Sequence, residues 1–166
     1  MVDVPTSTSG KTAMETALDV ALKAGEILLK RFHQDMRITF KGRGNIVTDV
    51  DSEVESEVLA TLSREFPDMG LLGEESSASE VGVSVSREKG VGPDSGYVWI
   101  VDPLDGTRNY ASGIPFFSVV VGLALDGEVL VGVNYDPMRR EMFHAERGKG
   151  AFLNDERIGV SEKSGI

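Results

Sequence analysis

Residues 98–110, VWIVDPLDGTRNY, set two carboxylates, Asp102 and Asp105, three positions apart after an apolar run. Pro103 biases Asp102 to extended backbone, so its side chain can leave the end of a strand while the main chain turns. Asp105 follows one turn later, letting both carboxylates converge, and the carbonyl of Leu104 is free to face the same way. Anionic and carbonyl oxygens of this kind suit Mg²⁺ rather than a soft metal. Gly106 and Thr107 fall where a helix would start, and outward N–H groups there, with the helix dipole, make a phosphate seat. The same residues also compose an ordinary turn, and the motif alone leaves both readings open.

Other acids extend the pattern. Glu74 and Glu75 end an apolar run at residues 69–73. Such a pair usually marks a solvated edge, but beside a Mg²⁺ pair Glu74 becomes a third carboxylate ligand. Asp51, in NIVTDVDSEVE, opens a helical pattern where Thr48, Asp49 or Asp51 can cap. That role is compatible with accepting a proton from a nearby hydroxyl. His33 and His144 are read as structural or surface residues, in a helix and a strand, and Trp99 with Phe116 and Phe117 as core packing.

Elements to position these groups are visible in the periodicity. Met14, Ala17, Leu18, Ala21, Leu22, Gly25, Leu28, Leu29 and Phe32 predict a helix over Lys11–His33, with Ser9 or Thr12 as cap. Val50, Val54, Val58, Leu62 and Phe66 predict a second over Asp49–Phe66, stopped by Pro67. Met36, Ile38 and Phe40 suggest a short strand, followed by a basic turn from Lys41 to Gly44. A long polar loop spans Ser76–Gly96, read as a lid or an insertion. Strands follow at Tyr97–Val101, Ser118–Leu125, Glu128–Tyr135, Glu141–Ala145 and Ala151–Leu153, with Asp126-Gly127 as a hairpin turn. Two helices and then a run of antiparallel strands predict an α+β layer.

The chain has 166 residues, a net charge of -10 and no cysteine. Disulfides and thiolate metal sites are excluded, and the acidity argues against nucleic-acid binding. The polar residues 1–10 read as a loose leader, and with no signal-like or membrane-spanning run the expected location is cytoplasmic. Two rival motifs fail. An EF-hand starting at Asp49 would need glycine where Val54 stands and glutamate where Ala60 stands. The haloacid dehalogenase phosphatases place two acids two apart in D-x-D-G-T, whereas here they are three apart with a proline between.

NIVTDVD, LLGEES, WIVDPLDGTRNYASGIPFFSVVVGLALDGE and GKGAFLN, in that order, resemble the inositol monophosphatase family, Mg²⁺-dependent and lithium-sensitive phosphatases that include archaeal and bacterial fructose-1,6-bisphosphatases. The resemblance covers residues 12 to 162. It implies that Glu74, Asp102, Asp105 and the carbonyl of Leu104 hold two or three Mg²⁺ ions, with Mn²⁺ as a substitute. It implies that Asp51 and Thr107, with Glu74, serve the attacking water, and that Asp105, Gly106 and Thr107 contact the substrate. Lys41 matches a loop that closes over the metals. The implied reaction is in-line attack of activated water on a small phosphorylated polyol or sugar, with no phosphorylated residue and commonly in a homodimer. The family continues into a second α/β layer that carries a further metal aspartate. Residues 11–166 are therefore expected to be the N-terminal half of a layered α-β-α-β-α sandwich, weakly active or inactive alone. Arg108 leaves a histidinol-phosphate phosphatase as an alternative, and a truncated, non-catalytic metal- or partner-binding half is another.

Overall fold

Helix α1 (Ala13–Arg31) buries Ala17, Val20, Ala21, Ala24 and Leu28, an apolar stripe at three- and four-residue spacing that needs a flat partner. Thr12 rather than Ser9 caps it: Thr12 Oγ1 accepts from Glu15 N at 3.1 Å, and Glu15 Oε2 accepts from Thr12 N at 2.8 Å. Helix α2 (Asp49–Glu65) likewise buries Val50, Val54, Val58 and Leu62. The computed structural model describes residues 4–40, 46–78 and 96–163.

The partner is a seven-stranded sheet in chain order: β3 (Gly70–Gly73), β4 (Tyr97–Asp105), β5 (Ser118–Leu125), β6 (Glu128–Asp136), β7 (Glu141–Glu146), β8 (Gly150–Leu153) and β9 (Glu156–Ile158). Every pairing is antiparallel except β3 with β4. Register aligns Trp99, Leu123 and Val131 in one row and Val101, Val121 and Val133 in the next, all buried. This is the α+β layer that the periodicity predicts. A separate hairpin, β1 (Ile38–Phe40) and β2 (Ile46–Thr48), feeds α2, and two short helices, α3 (Glu74–Ala78) and α4 (Thr107–Ala111), follow β3 and β4.

Several expectations need correction. Residues 4–10 are not a loose leader. Thr8 N donates to Glu65 O at 2.9 Å, because the last carbonyls of α2 need donors from outside the helix, and Ser9 Oγ donates to the Glu65 carboxylate at 2.6 Å. His33 lies just beyond α1, at φ 66°, rather than within it. Phe117 is buried, but Phe116 is 62% exposed, its ring beneath the Arg139 guanidinium at 5.1 Å. Glu74 and Glu75 do not end a strand but begin α3. The Lys41 turn and most of the Ser76–Gly96 loop lie outside the described residues.

The end of α1 is tied to α4 by Tyr110, whose buried hydroxyl donates to Leu28 O at 2.7 Å. Its ring stands edge-on to Phe117 at 4.8 Å. Leu28 O also accepts from Phe32 N, so removing the hydroxyl weakens that carbonyl's bonding without orphaning it. Tyr110→Phe is expected to cost about 1 kcal/mol of unfolding free energy, read from a urea titration.

Candidate active site

The parallel pairing of β3 with β4 does what an antiparallel one cannot: it brings both C-terminal strand ends to the same edge. Gly73 pairs with Val101, so the next residues, Glu74 and Asp102, emerge side by side. Their carboxyl groups are near enough for Glu74 to disfavour the ionised form of Asp102.

Asp102 and Asp105 meet by a different device. In a regular strand, residues three apart face opposite sides. Here Asp102 pairs with Val120 and Asp105 with Ser118, so Pro103 and Leu104 together oppose Val119 alone. That is a β-bulge, which shifts the alternation by one and turns Asp105 to the side of Asp102. Strand β4 thus continues to Asp105 instead of stopping at Val101. Proline, with no N–H to offer a ladder, suits the bulge.

Glu74, Asp102, Leu104, Asp105, Gly106, Thr107 and Arg108 line one open cavity of about 290 Å³. Burial, then the neighbouring Glu74 carboxyl and the charge of Asp105, push Asp102 up to about 7. Among the described residues no three acidic or histidine side chains close around a single point. The expected convergence of Asp102 and Asp105 is therefore a shared lining rather than a finished cage. His144 is occupied elsewhere, with Nε2 2.9 Å from Asn154 O and its ring stacked on Phe152.

Behind this lining sits Asp51, 1% exposed. Its Oδ2 accepts from Thr48 N at 2.9 Å and Thr48 Oγ1 at 2.5 Å, so it serves the α2 capping box. Its Oδ1 lies 3.0 Å from Thr107 Oγ1, which also lies 3.0 Å from Leu104 O. One hydroxyl proton faces two acceptors, and the anionic one makes the stronger bond. Desolvation raises the Asp51 carboxyl despite its three donors. Gly106 starts α4 at φ 94°, a conformation costly for other residues, and no side chain caps the first-turn amides.

Sequence reading missed Glu55, 5% exposed on α2 one turn beyond Asp51, whose carboxylate faces the start of α3. The four-residue step from Asp51 places it on the same helix face, the one signal that was available.

A carboxyl raised by folding binds its proton more tightly in the folded chain than in the unfolded one. The stability this gives is complete below the ordinary value of 3.8 and is lost as pH rises through about 7. Asp51 is shifted in the same direction, whereas Glu15, Asp49, Glu65 and Glu128 are lowered and titrate below their ordinary range. Metal-free protein is accordingly expected to melt at a higher temperature at pH 5 than at pH 8, with added Mg²⁺ narrowing the gap. A calorimetric pH series in a chelating buffer checks this.

Residues 11–166 match the model of the inositol monophosphatase family. The chain belongs to that family. An inositol-1-monophosphatase of Mesorhizobium japonicum is 39% identical over 150 residues, which are 89% of this chain and 52% of that protein. The Nus factor SuhB of Haemophilus influenzae is 39% identical over 155 residues, 92% of this chain and 54% of its length. The crystal structure of the suppressor protein SuhB from Bartonella henselae superposes with a TM-score of 0.80 at 38% identity, covering 90% of this chain and 55% of that one. The chain thus spans about half the length of the relatives it matches. Membership of the inositol monophosphatase family makes it a relative of phosphatases and agrees with the layered α+β fold.

Proposed function

We propose that this chain supplies the acidic half of a site hydrolysing small phosphate monoesters, with inositol-1-phosphate or fructose-1,6-bisphosphate as substrate, in the cytoplasm. The observation that carries the reading is the gathering of Glu74, Asp102 and Asp105 at one cavity by a parallel pairing and a bulge. Three carboxylates lining one cavity, one of them raised to about 7, are a donor set in need of a cation. They fit Mg²⁺, with Mn²⁺ as a substitute, and Leu104 O adds a neutral oxygen. Bound there, the ions would acidify water and offset charge on the leaving oxygen.

The chain's own residues supply the rest. Asp51 accepts the Thr107 proton, which leaves the Thr107 oxygen lone pairs facing the attacking water to orient it and take up its hydrogen bond. Glu74 lies at the same cavity to serve that water. The uncapped amides around Gly106 and Thr107 receive the phosphoryl oxygens, and Asp105 reaches a neighbouring hydroxyl of the substrate. Arg108 lines the same cavity, and the alternative reading is a histidinol-phosphate phosphatase of the same family.

Phosphate release from all three esters tests the reading, using the chain alone and the chain mixed with the C-terminal half of a relative. Release that stops with EDTA and returns with Mg²⁺ is expected, stronger in the mixture and reduced by lithium. Release indifferent to EDTA rejects it.

A further inference from the structure

Glu55 is a buried carboxylate that the reaction described above does not use. Its Oε2 accepts from Glu75 N and its Oε1 from Ser76 N, each at 2.8 Å. These amides belong to the first turn of α3, where backbone N–H groups lack partners within the helix. A carboxylate there makes two charge-assisted bonds and meets the favourable end of the peptide dipoles. The backbone is shaped to admit it: a Cβ on Gly73 would stand 2.4 Å from the Glu55 carboxyl carbon. No side chain but hydrogen fits between β3 and that carboxylate.

Chain order gives this contact its consequence. Gly73 ends β3 and Glu74 begins α3 with no residue between them. Holding the amides of residues 75 and 76 therefore fixes the backbone from which Glu74 projects toward Asp102. Asp51 and Glu55 are one turn apart on α2. The first holds Thr107 and the second holds the start of α3, so a single rigid helix sets both sides of the cavity.

We infer that Glu55 is a positioning residue that sets Glu74 for cation binding by gripping the first turn of α3; this rests on the metal reading of the site. The test measures Mn²⁺ affinity of the purified chain by electron paramagnetic resonance, alongside the amide proton shifts of Glu75 and Ser76. Glu55→Gln keeps the shape but replaces one acceptor oxygen with an amide that cannot accept. It is expected to weaken Mn²⁺ binding about 10- to 100-fold, as removal of a group supporting a ligand does elsewhere. The two amide protons should move upfield. In a Glu74→Gln background the same change should cost nothing further, because the group it positions is already gone. Gly73→Ala, which presses on Glu55 with its charge intact, should reproduce the loss, and it carries the test if Glu55→Gln does not fold. Unchanged affinity in Glu55→Gln, or an equal additional loss in the Glu74→Gln background, overturns the inference while leaving the metal reading in place. A wild-type chain that binds no Mn²⁺ overturns both.

Discussion

Asp102→Asn is expected to leave the metal-free protein more stable at pH 8 and to remove nearly all of the proposed phosphate release. The two effects share a cause. Asp102 is partly buried beside Glu74 and Asp105, and its ionised form is disfavoured enough to bring its carboxyl up to about 7. Asparagine keeps the Oδ1 that accepts from Leu104 N at 3.1 Å and can donate to Glu74 from its amide. It removes one of the mutually repelling charges and loses only what a cation would need. At pH 5, where the wild-type carboxyl is largely protonated, the gain in melting temperature should shrink. The loss of Mg²⁺-dependent phosphate release should approach three orders of magnitude, because a Lewis-acidic ion supplies several kcal/mol and each 1.36 kcal/mol is tenfold. A melting series in EDTA and a phosphate-release assay at saturating Mg²⁺ check the two halves. Full activity in the variant, or a lower melting temperature at pH 8, contradicts the site assignment. That paired outcome would follow the general exchange between stability and function.

Local chemistry was readable in the sequence wherever it depended on neighbours along the chain. The stripes of α1 and α2, the Asp126-Gly127 turn at φ 49° and 84°, and Gly106 at the start of α4 all follow from spacing or from a single residue's backbone preference. Asp51 was readable for the same reason, since the Thr48–Asp51 capping box is a four-residue motif. What no local pattern shows is register. That β3 runs parallel to β4 decides that Glu74 meets Asp102, and no pattern within either strand announces that direction. The bulge at Pro103 and Leu104 is legible only in the pairing with Val119. A turn between Asp102 and Asp105 would have satisfied the same residues. Glu55 was hidden because a glutamate on a helix rich in acids reads as solvated, and only α3 folding over it reveals a buried carboxylate. Phe116 misled in the opposite sense. Only Phe117 enters the core, packed on Phe32 and Tyr110, while Phe116 stays exposed beneath Arg139.

Asp51→Asn separates the structural and chemical duties that meet in one carboxylate. Thr48 N and Thr48 Oγ1 both point at Oδ2, so the asparagine oxygen must take that place to preserve the capping box. The new amide group then falls where Oδ1 stood, 3.0 Å from Thr107 Oγ1. It can only donate, and the threonine hydroxyl must turn its single proton to its other neighbour, Leu104 O, also at 3.0 Å. That rotation spends a lone pair of the hydroxyl on the introduced amide, removes the base that would draw its proton, and adds a donor to a carbonyl expected to face the cation. Stability should change by about 1 kcal/mol or less, because the cap survives and a desolvated charge is lost. Turnover should fall about 10²- to 10⁴-fold, the range for losing a general base, with KM nearly unchanged since no phosphate contact is touched. Thr107→Val should give a fall of similar size and add little in combination with Asp51→Asn, while Thr107→Ser retains most activity. Steady-state kinetics on the four variants decide the point: independent, multiplicative losses in the double variant would mean that the pair does not act as one unit.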